Sequence, residues 1–403
     1  AYEIRNCDWS SDVCSSDLKA AINLTGWNRP LLDGDDVVIG SRRVGTEVKI
    51  DKAPLVFVGY GVHAPERGWD DFKGVDLHGK VMVVLVNDPD FETAQPGAFE
   101  GKAMTYYGRW TYKFEEAARQ GALGVLVVHE TPGAGYGWAT VRNSWSADQF
   151  DIVQTNPNAT APMEGWIQRQ VAVELFRLAG LDFEKLKAQA QTKDFKPVDL
   201  GGATLSTSFA VSAQTITSYN VVGRLPGKTR PDQTILYTAH WDHLGRGAPD
   251  AKGDTIYNGA LDNASGVAGL LELARVFKAG PPTQRSVVFL AVTAEEKGLL
   301  GSDYYGANPI YPLSKTVVNL NMDGLPLGGP SRDVVVVGAG KGTIEDDLAK
   351  AAADQGRTIS LDPVPEAGHY YRSDHFSLAK RGDRKSTRLN SSHSSVSRMP
   401  SSA

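Results

Sequence analysis

From Ser218 onward the chain alternates short apolar runs with helical patterns, and this alternation constrains its fold more than any other feature. SYNVVGRLPG, QTILYTAH, RSVVFLAVTAEE, KTVVNLNMDG and RDVVVVGAG each read as a buried strand. Helical periodicity occupies Ala264 to Lys278 and Thr343 to Gln355. Strands that alternate with helices bury a sheet between helical layers, so the expected class is α/β, with a mixed, mostly parallel sheet flanked by helices. In the first of these helices Val267, Leu270, Leu271, Ala274 and Phe277 recur at helical spacing and predict one face packed on that sheet.

The preceding region, from about Ala53 to Leu200, has a different texture. APLVFVGYGV, KVMVVLVND and ALGVLVVHE read as strands, and FEEAARQG as a short helix stopped by Gly121. Loops rich in Gly and aromatic residues, MTYYGRWTYK and PGAGYGWATVRNSW, separate them, and the helical segment VAVELFRLAGLDFEKLKAQAQ closes the region. A separate β-rich domain is expected here, with most of its aromatics in the core. Residues 19–52 read as a remnant preceding it, and 201–382 as the second domain.

The two ends belong to neither pattern. Residues 1–18 hold the only two cysteines, Cys7 and Cys14, in the polar run CDWSSDVC, and residues 383–403 are rich in Ser and Arg. One DNA sequence, read in opposite orientations, can encode both ends, and it resembles a sequencing-library adapter. Both stretches are therefore expected to be foreign, and Cys7 and Cys14 form neither a disulfide nor a metal clip on this reading. The insert, Lys19 to Gly382, is then expected to lack its natural start and stop. Mild acidity, a formal net charge of −5 without a basic run, argues against nucleic acid or an anionic membrane as partner. No apolar run approaches the roughly 20 residues of a membrane span.

Chemistry gathers where the later strands run out. QTILYTAH ends in His240 and is followed by Asp242; Asp262 precedes a helix; TAEE ends in Glu295 and Glu296; NLNMDG places Asp323 after another strand. Singly, each has a plain structural reading: Asp262 as a helix cap, Asp323 as a turn former, the Glu pair as solvated surface, His240 as a core histidine. Together, four segments aim metal-compatible groups at the strand ends, where open α/β sheets carry their crevices. Imidazole and carboxylates suit zinc, and a carboxylate can bridge two ions. Asp242 is expected to accept a hydrogen bond from the second ring nitrogen of His240. Of the two glutamates, one can bind metal while its neighbour serves as general acid or base. No phosphate loop, dinucleotide fingerprint or serine nucleophile motif competes.

TAHWDHLG, NGALDNASGVAGLLELA, TAEEKGLLGSDYY, NLNMDG and YRSDHFSLAKRG stand in the order found in the M28 metallopeptidases, and from Ser218 to Gly382 the chain resembles that family of co-catalytic zinc exopeptidases. The resemblance implies that His240 and Asp323 hold a first zinc, Asp262 bridges, Glu296 holds a second zinc and Glu295 is the general base. It implies Zn2+ as cofactor, two per intact catalytic domain, and a peptide as substrate. Residues 53–200 resemble the protease-associated domain that many of these enzymes carry as an insertion.

The family's second-zinc histidine lies downstream of the last matching segment, so the second site is expected to be incomplete and activity impaired. His375, Asp374 and Tyr370 are substrate-pocket candidates. A secreted or periplasmic location follows from the resemblance alone, and the oligomeric state is open. Aminopeptidase is the leading activity; an M28-like carboxypeptidase, an aminoacyl cyclase with one zinc, and a metal-free receptor-like protein on the same fold are the alternatives.

Overall fold

The computed structural model describes residues 18–382 except 44, 94–96, 146–147, 154–155, 157, 248, 250–251, 326–328 and 342–343, and the backbone of strands at 2–8 and 386–389. The side chains of Cys7 and Cys14, and most of the two ends read as foreign, lie outside the described residues. The chain divides into two compact units, one formed mainly by residues up to 215 and the other mainly by residues from 216 onward. Among the described residues, no helix is long and apolar enough to cross a membrane.

The first unit is built on an eight-stranded sheet: β1 (Lys19–Leu24), β2 (Trp27–Pro30), β3 (Val37–Gly40), β4 (Glu47–Phe57), β5 (Val81–Leu85), β6 (Gly124–His129), β7 (Met163–Gln168) and β8 (Val198–Ala210), in the order β2-β1-β8-β4-β5-β6-β7-β3. Strands β4, β5, β6 and β7 run parallel, while β8 pairs antiparallel with both β1 and β4. The 19–52 stretch is thus part of this sheet, and the unit closes after 215 rather than near 200. The physical reason is β8, whose 13 residues must stay with β1 and β4 to satisfy their backbone hydrogen bonds.

Period-two alternation divides the core of this unit between the two faces of the sheet. Along β5, Val81, Val83 and Leu85 join the cluster of α3 (Arg169–Leu178) and α4 (Phe183–Ala190), whereas Met82 and Val84 face that of α1 (Trp110–Arg119). The single helical pattern expected over 171–191 is two helices, because Gly180 adopts φ +75° and Asp182 caps the next helix by accepting from the Lys185 amide. The segment expected as an aromatic loop contains α2 (Trp138–Trp145), anchored where the Trp138 indole donates to the Gly34 carbonyl. Phe57 is fully buried edge-on to Phe176 and Phe195, with centroids 5.1 and 5.7 Å away. Phe57→Ala is expected to destabilise this unit by about 3–5 kcal/mol, read by denaturant unfolding.

The second unit holds β9 (Val221–Leu225), β10 (Arg230–His240), β11 (Arg285–Val292) and β12 (Thr316–Met322), joined by the backbone of 386–389 in one five-stranded sheet ordered β9-β11-β10-β12-(386–389). Three of its pairings are parallel and one, β9 with β11, is antiparallel. On one face, Val287 and Phe289 pack with Leu270 of α5 (Ser265–Ala279); on the other, Val288, Leu290 and Val292 pack with Tyr305 of α6 (Leu300–Ala307). The chain leaves β10 for β11 on one side and returns to β12 on the other, so β10 lies at a topological switch point, with His240 at its carboxyl end.

Three expectations about this unit change. β9 is an edge strand with Val221 62% exposed, since among the described residues no strand pairs beyond it. The RDVVVVGAG run forms only β13 (Asp333–Val336), half-buried and paired with β14 (Thr358–Leu361) outside the main sheet. Leu271 is 70% exposed, since the stripe of α5 that meets the sheet is Val267, Leu270, Ala274 and Phe277, and Leu271 lies about 100° farther round than Leu270. A further helix, α7 (Ile344–Asp354), lies between β13 and β14, and α8 (His375–Ala379) follows them.

Candidate metal centre

Four backbone segments bring the site together. β10 ends in His240, which is fully buried. Asp323 follows the last residue of β12. Asp262 lies in a kinked turn over 260–264 that leads into α5, with φ −112° and ψ 92°. Beyond β11, Ala294 takes φ +54°, a left-handed conformation that turns the chain sharply into Glu295 and Glu296.

His240, Asp262 and Asp323 form one group whose ligand atoms lie within 4.8 Å of one another. The Nε2 atom of His240 is 3.0 Å from Asp262 Oδ1 and 3.3 Å from Asp323 Oδ1. Two ligands each about 2.0–2.1 Å from one tetrahedral ion stand about 3.3 Å apart, so these spacings fit a metal without rearrangement. The opposite ring nitrogen, Nδ1, is 3.0 Å from the main-chain carbonyl of Asp242. A carbonyl only accepts, so Nδ1 carries the hydrogen and Nε2 faces the carboxylates.

Asp242 therefore acts differently from the expectation. It is its backbone oxygen that orients the imidazole, while its carboxylate lies 3.8 Å from Nδ1 and accepts from the amides of Glu295 and Glu296 at 3.1 and 3.3 Å. The reason is the turn after β11, which aims the two N–H groups at Asp242. One residue thus ties the histidine strand to the glutamate turn.

Asp323 is held from behind. Its Oδ2 accepts from Ser373 Oγ at 2.6 Å; Ser373 accepts from Asn321 Nδ2 at 2.7 Å; and Asn321 Oδ1 accepts from Thr238 Oγ1 at 2.7 Å. This buried chain leaves Oδ1 directed at His240. Such outer partners fix the orientation of ligand groups.

The electrostatics call for a cation. Burial opposes a charge on His240, yet contacts with Asp262 and Asp323 and the field of Glu295 hold its pKa well above the ordinary imidazole range. Burial, then repulsion from Asp323, raises the Glu295 carboxyl well above its usual range. Burial and the charge of Asp262 raise Glu296. Asp374, fully buried, is pushed up to about 7 by burial, against the pull of His240. A pocket that draws protons onto its own ligands is one whose negative charge a divalent ion would neutralise.

A second group, His243, Asp262 and Glu296, shares Asp262 with the first. His243 is the residue that sequence reasoning passed over, although it stands in TAHWDHLG three places after His240. Of the pocket candidates, Asp374 and His375 are fully buried, and Tyr370 is half-buried with its ring edge-on to His375 at 4.8 Å.

Residues 220–394 match the model of peptidase family M28. The chain is 44% identical over 82 residues to a probable zinc metalloprotease of Pyrenophora teres f. teres, a match covering 20% of this chain and 17% of that protein. It is 35% identical over 109 residues to aminopeptidase YwaD of Bacillus subtilis, covering 27% and 22%. The chain spans about a fifth of the length of these curated relatives. An aminopeptidase from Aneurinibacillus sp. strain AM-1 shares the fold, with a TM-score of 0.51 at 20% identity over 97% of this chain and 74% of that one.

Proposed function

We propose that the protein is a zinc-dependent aminopeptidase that hydrolyses peptide bonds at a two-ion centre. The observation that carries this reading is the pair of ligand groups joined at Asp262, His240–Asp262–Asp323 and His243–Asp262–Glu296. His240, Asp262 and Asp323 would hold the first ion, and Asp262 and Glu296 the second. Zinc, when bound, would polarise the scissile carbonyl and lower the pKa of a water molecule to about 7.

The remaining chemistry falls to the chain. Glu295 lies 4.0 Å from His240 Nε2, and its amide is anchored on Asp242. With its neighbour Glu296 committed to the ligand set, its carboxylate takes the proton of the attacking water and delivers it to the leaving amine. Asp242 and Ser373 are positioning residues that hold Glu295 and Asp323 in register. Support for peptides as substrate comes from the M28 match, and support for zinc from the named relatives and the donor set. The reading of 53–200 as a protease-associated domain, and of a secreted or periplasmic location, rests on the resemblance of the sequence.

The test is metal removal and return. Chelation is expected to abolish cleavage of an aminoacyl-p-nitroanilide, and zinc to restore it. Zinc at 100 times its dissociation constant should also stabilise the fold by about 2.7 kcal/mol. Hydrolysis that persists in the chelated protein would refute the assignment.

A further inference from the structure

We infer that Trp241 and Tyr219 form an aromatic platform for the residues of a peptide substrate that lie beyond its scissile bond, an inference that rests on the peptidase reading above. Trp241 is 49% and Tyr219 55% exposed, although both residue types ordinarily bury most of their large apolar surface. Both are anchored. The Trp241 indole donates to the Tyr219 carbonyl at 3.0 Å, and the Trp241 amide donates to the Val292 carbonyl at 2.9 Å. Asn220 ties the same spot to the approach to the glutamate turn: its Oδ1 accepts from the Thr293 amide at 3.1 Å, and its Nδ2 donates to the Gly301 carbonyl at 2.9 Å. The hydroxyls of Ser218 and Thr293 share a hydrogen bond at 2.8 Å. Anchored, exposed Trp and Tyr bring apolar area to a ligand at low entropic cost, which is why such residues dominate binding surfaces.

Their position follows from the sheet order β9-β11-β10-β12. Trp241 follows the last residue of β10, and Tyr219 precedes β9, whose antiparallel pairing with β11 brings its start to the end where Glu295 lies. Ser373, in the segment of the pocket candidates Tyr370, Asp374 and His375, bonds Asp323 and Asn321 on the β12 side instead. The two sets therefore flank the metal centre from opposite directions along the sheet edge. A substrate whose first side chain enters the pocket on the β12 side leaves over β11 toward β9. From β10 to β9 is two strand spacings, about 10 Å, and three residues of extended chain cover about 10 Å, so the third and fourth residues of the substrate reach the platform. The plainer role for the two rings, a cover over the ends of β9 and β11, predicts no dependence on substrate length.

The test is a binding ladder that needs no turnover. The full chain with zinc is titrated by calorimetry with an amidated dipeptide, tripeptide and tetrapeptide that begin with leucine, carry leucine and phenylalanine at the third and fourth positions, and have the first peptide bond N-methylated to resist cleavage. Affinity is expected to rise by about 10-fold or more from dipeptide to tetrapeptide. Trp241→Ala and Tyr219→Ala should each cut that gain to within about threefold, whereas Trp241→Phe, which keeps a ring, should retain most of it. Tyr219 gives only its carbonyl to the bond with Trp241, so Tyr219→Ala leaves the segment anchored. A flat ladder in the wild-type chain, no binding of any of the three peptides, or a gain that survives both alanine variants would overturn the platform. Zinc-dependent hydrolysis of an aminoacyl-p-nitroanilide reports on the proposed function separately. Hydrolysis with a flat ladder would refute the platform alone, and a working ladder without hydrolysis would refute the enzyme reading and uphold the platform.

Discussion

Replacing Glu295 by Gln is expected to lower kcat by about 10²–10⁴ while leaving the zinc content unchanged. At 1.36 kcal/mol per factor of ten, that corresponds to about 2.7–5.4 kcal/mol of transition-state stabilisation. Gln preserves the size of the side chain, and the anchoring bond to Asp242 comes from the backbone amide, so the turn after β11 should keep its shape. What disappears is the carboxylate proposed as the proton carrier. Burial and the neighbouring Asp323 raise the Glu295 carboxyl above its usual range, the direction that makes its carboxylate a stronger base. The measurement is steady-state hydrolysis of an aminoacyl-p-nitroanilide alongside metal analysis of the same sample. A Gln variant within about threefold of wild type would remove Glu295 from the proton-transfer role, and one that had lost its zinc would place Glu295 among the ligands instead.

Asp262→Ala is expected to have the broadest effect on metal binding, because Asp262 is the one residue common to both ligand groups. Losing a partner outside the ligand set already costs 10–100-fold in affinity, so loss of the shared carboxylate should weaken binding by more than about 100-fold and take hydrolysis below detection. The backbone around it should hold. Asn263, next in the chain, donates to the Met322 carbonyl and accepts from the amides of Gly266 and Gly324, and these bonds fix the turn independently of the Asp262 side chain. Metal content after desalting and an unchanged far-UV circular dichroism spectrum would together establish the effect. An Asp262→Ala protein that retained two zinc ions would show that the shared carboxylate is dispensable.

The contrast between these variants separates chemistry from assembly. Glu295→Gln is expected to leave a loaded centre without its proposed proton carrier. Asp262→Ala is expected to leave that proposed carrier in place without the ions that would activate its water.

Much of this was readable before any coordinates. β10, β11 and β12 announce themselves as apolar, β-branched runs, and His240, the Glu295–Glu296 pair and Asp323 follow at their carboxyl ends, where a parallel sheet opens its crevice. Strand direction alone brings such residues to one edge. The side chains that depend on loop paths were not readable. Asp242 offered two acceptors to His240, and only the turn of Glu295 and Glu296 decided that the carboxylate serves their amides and the carbonyl serves the ring. His243 fell in the same motif as His240, but no periodicity reports where a loop residue points after a strand has ended.

The same division runs through the fold. Hydrophobic period and turn chemistry are local properties, and they marked the strands, the α/β class and the groups able to bind metal. Which strands become edges, which residue of α5 is left in solvent and where one unit ends depend on partners distant in sequence. Val221 reads like a core residue and is exposed on β9, which has no neighbour beyond it among the described residues; β8 belongs to the first unit because β1 and β4 supply its hydrogen bonds. The sequence by itself determined what kinds of groups meet at the ends of these strands. Only the tertiary structure decided that Asp262 belongs to both groups and that His243 stands beside Glu296, because a loop's path is set by the contacts that close on it.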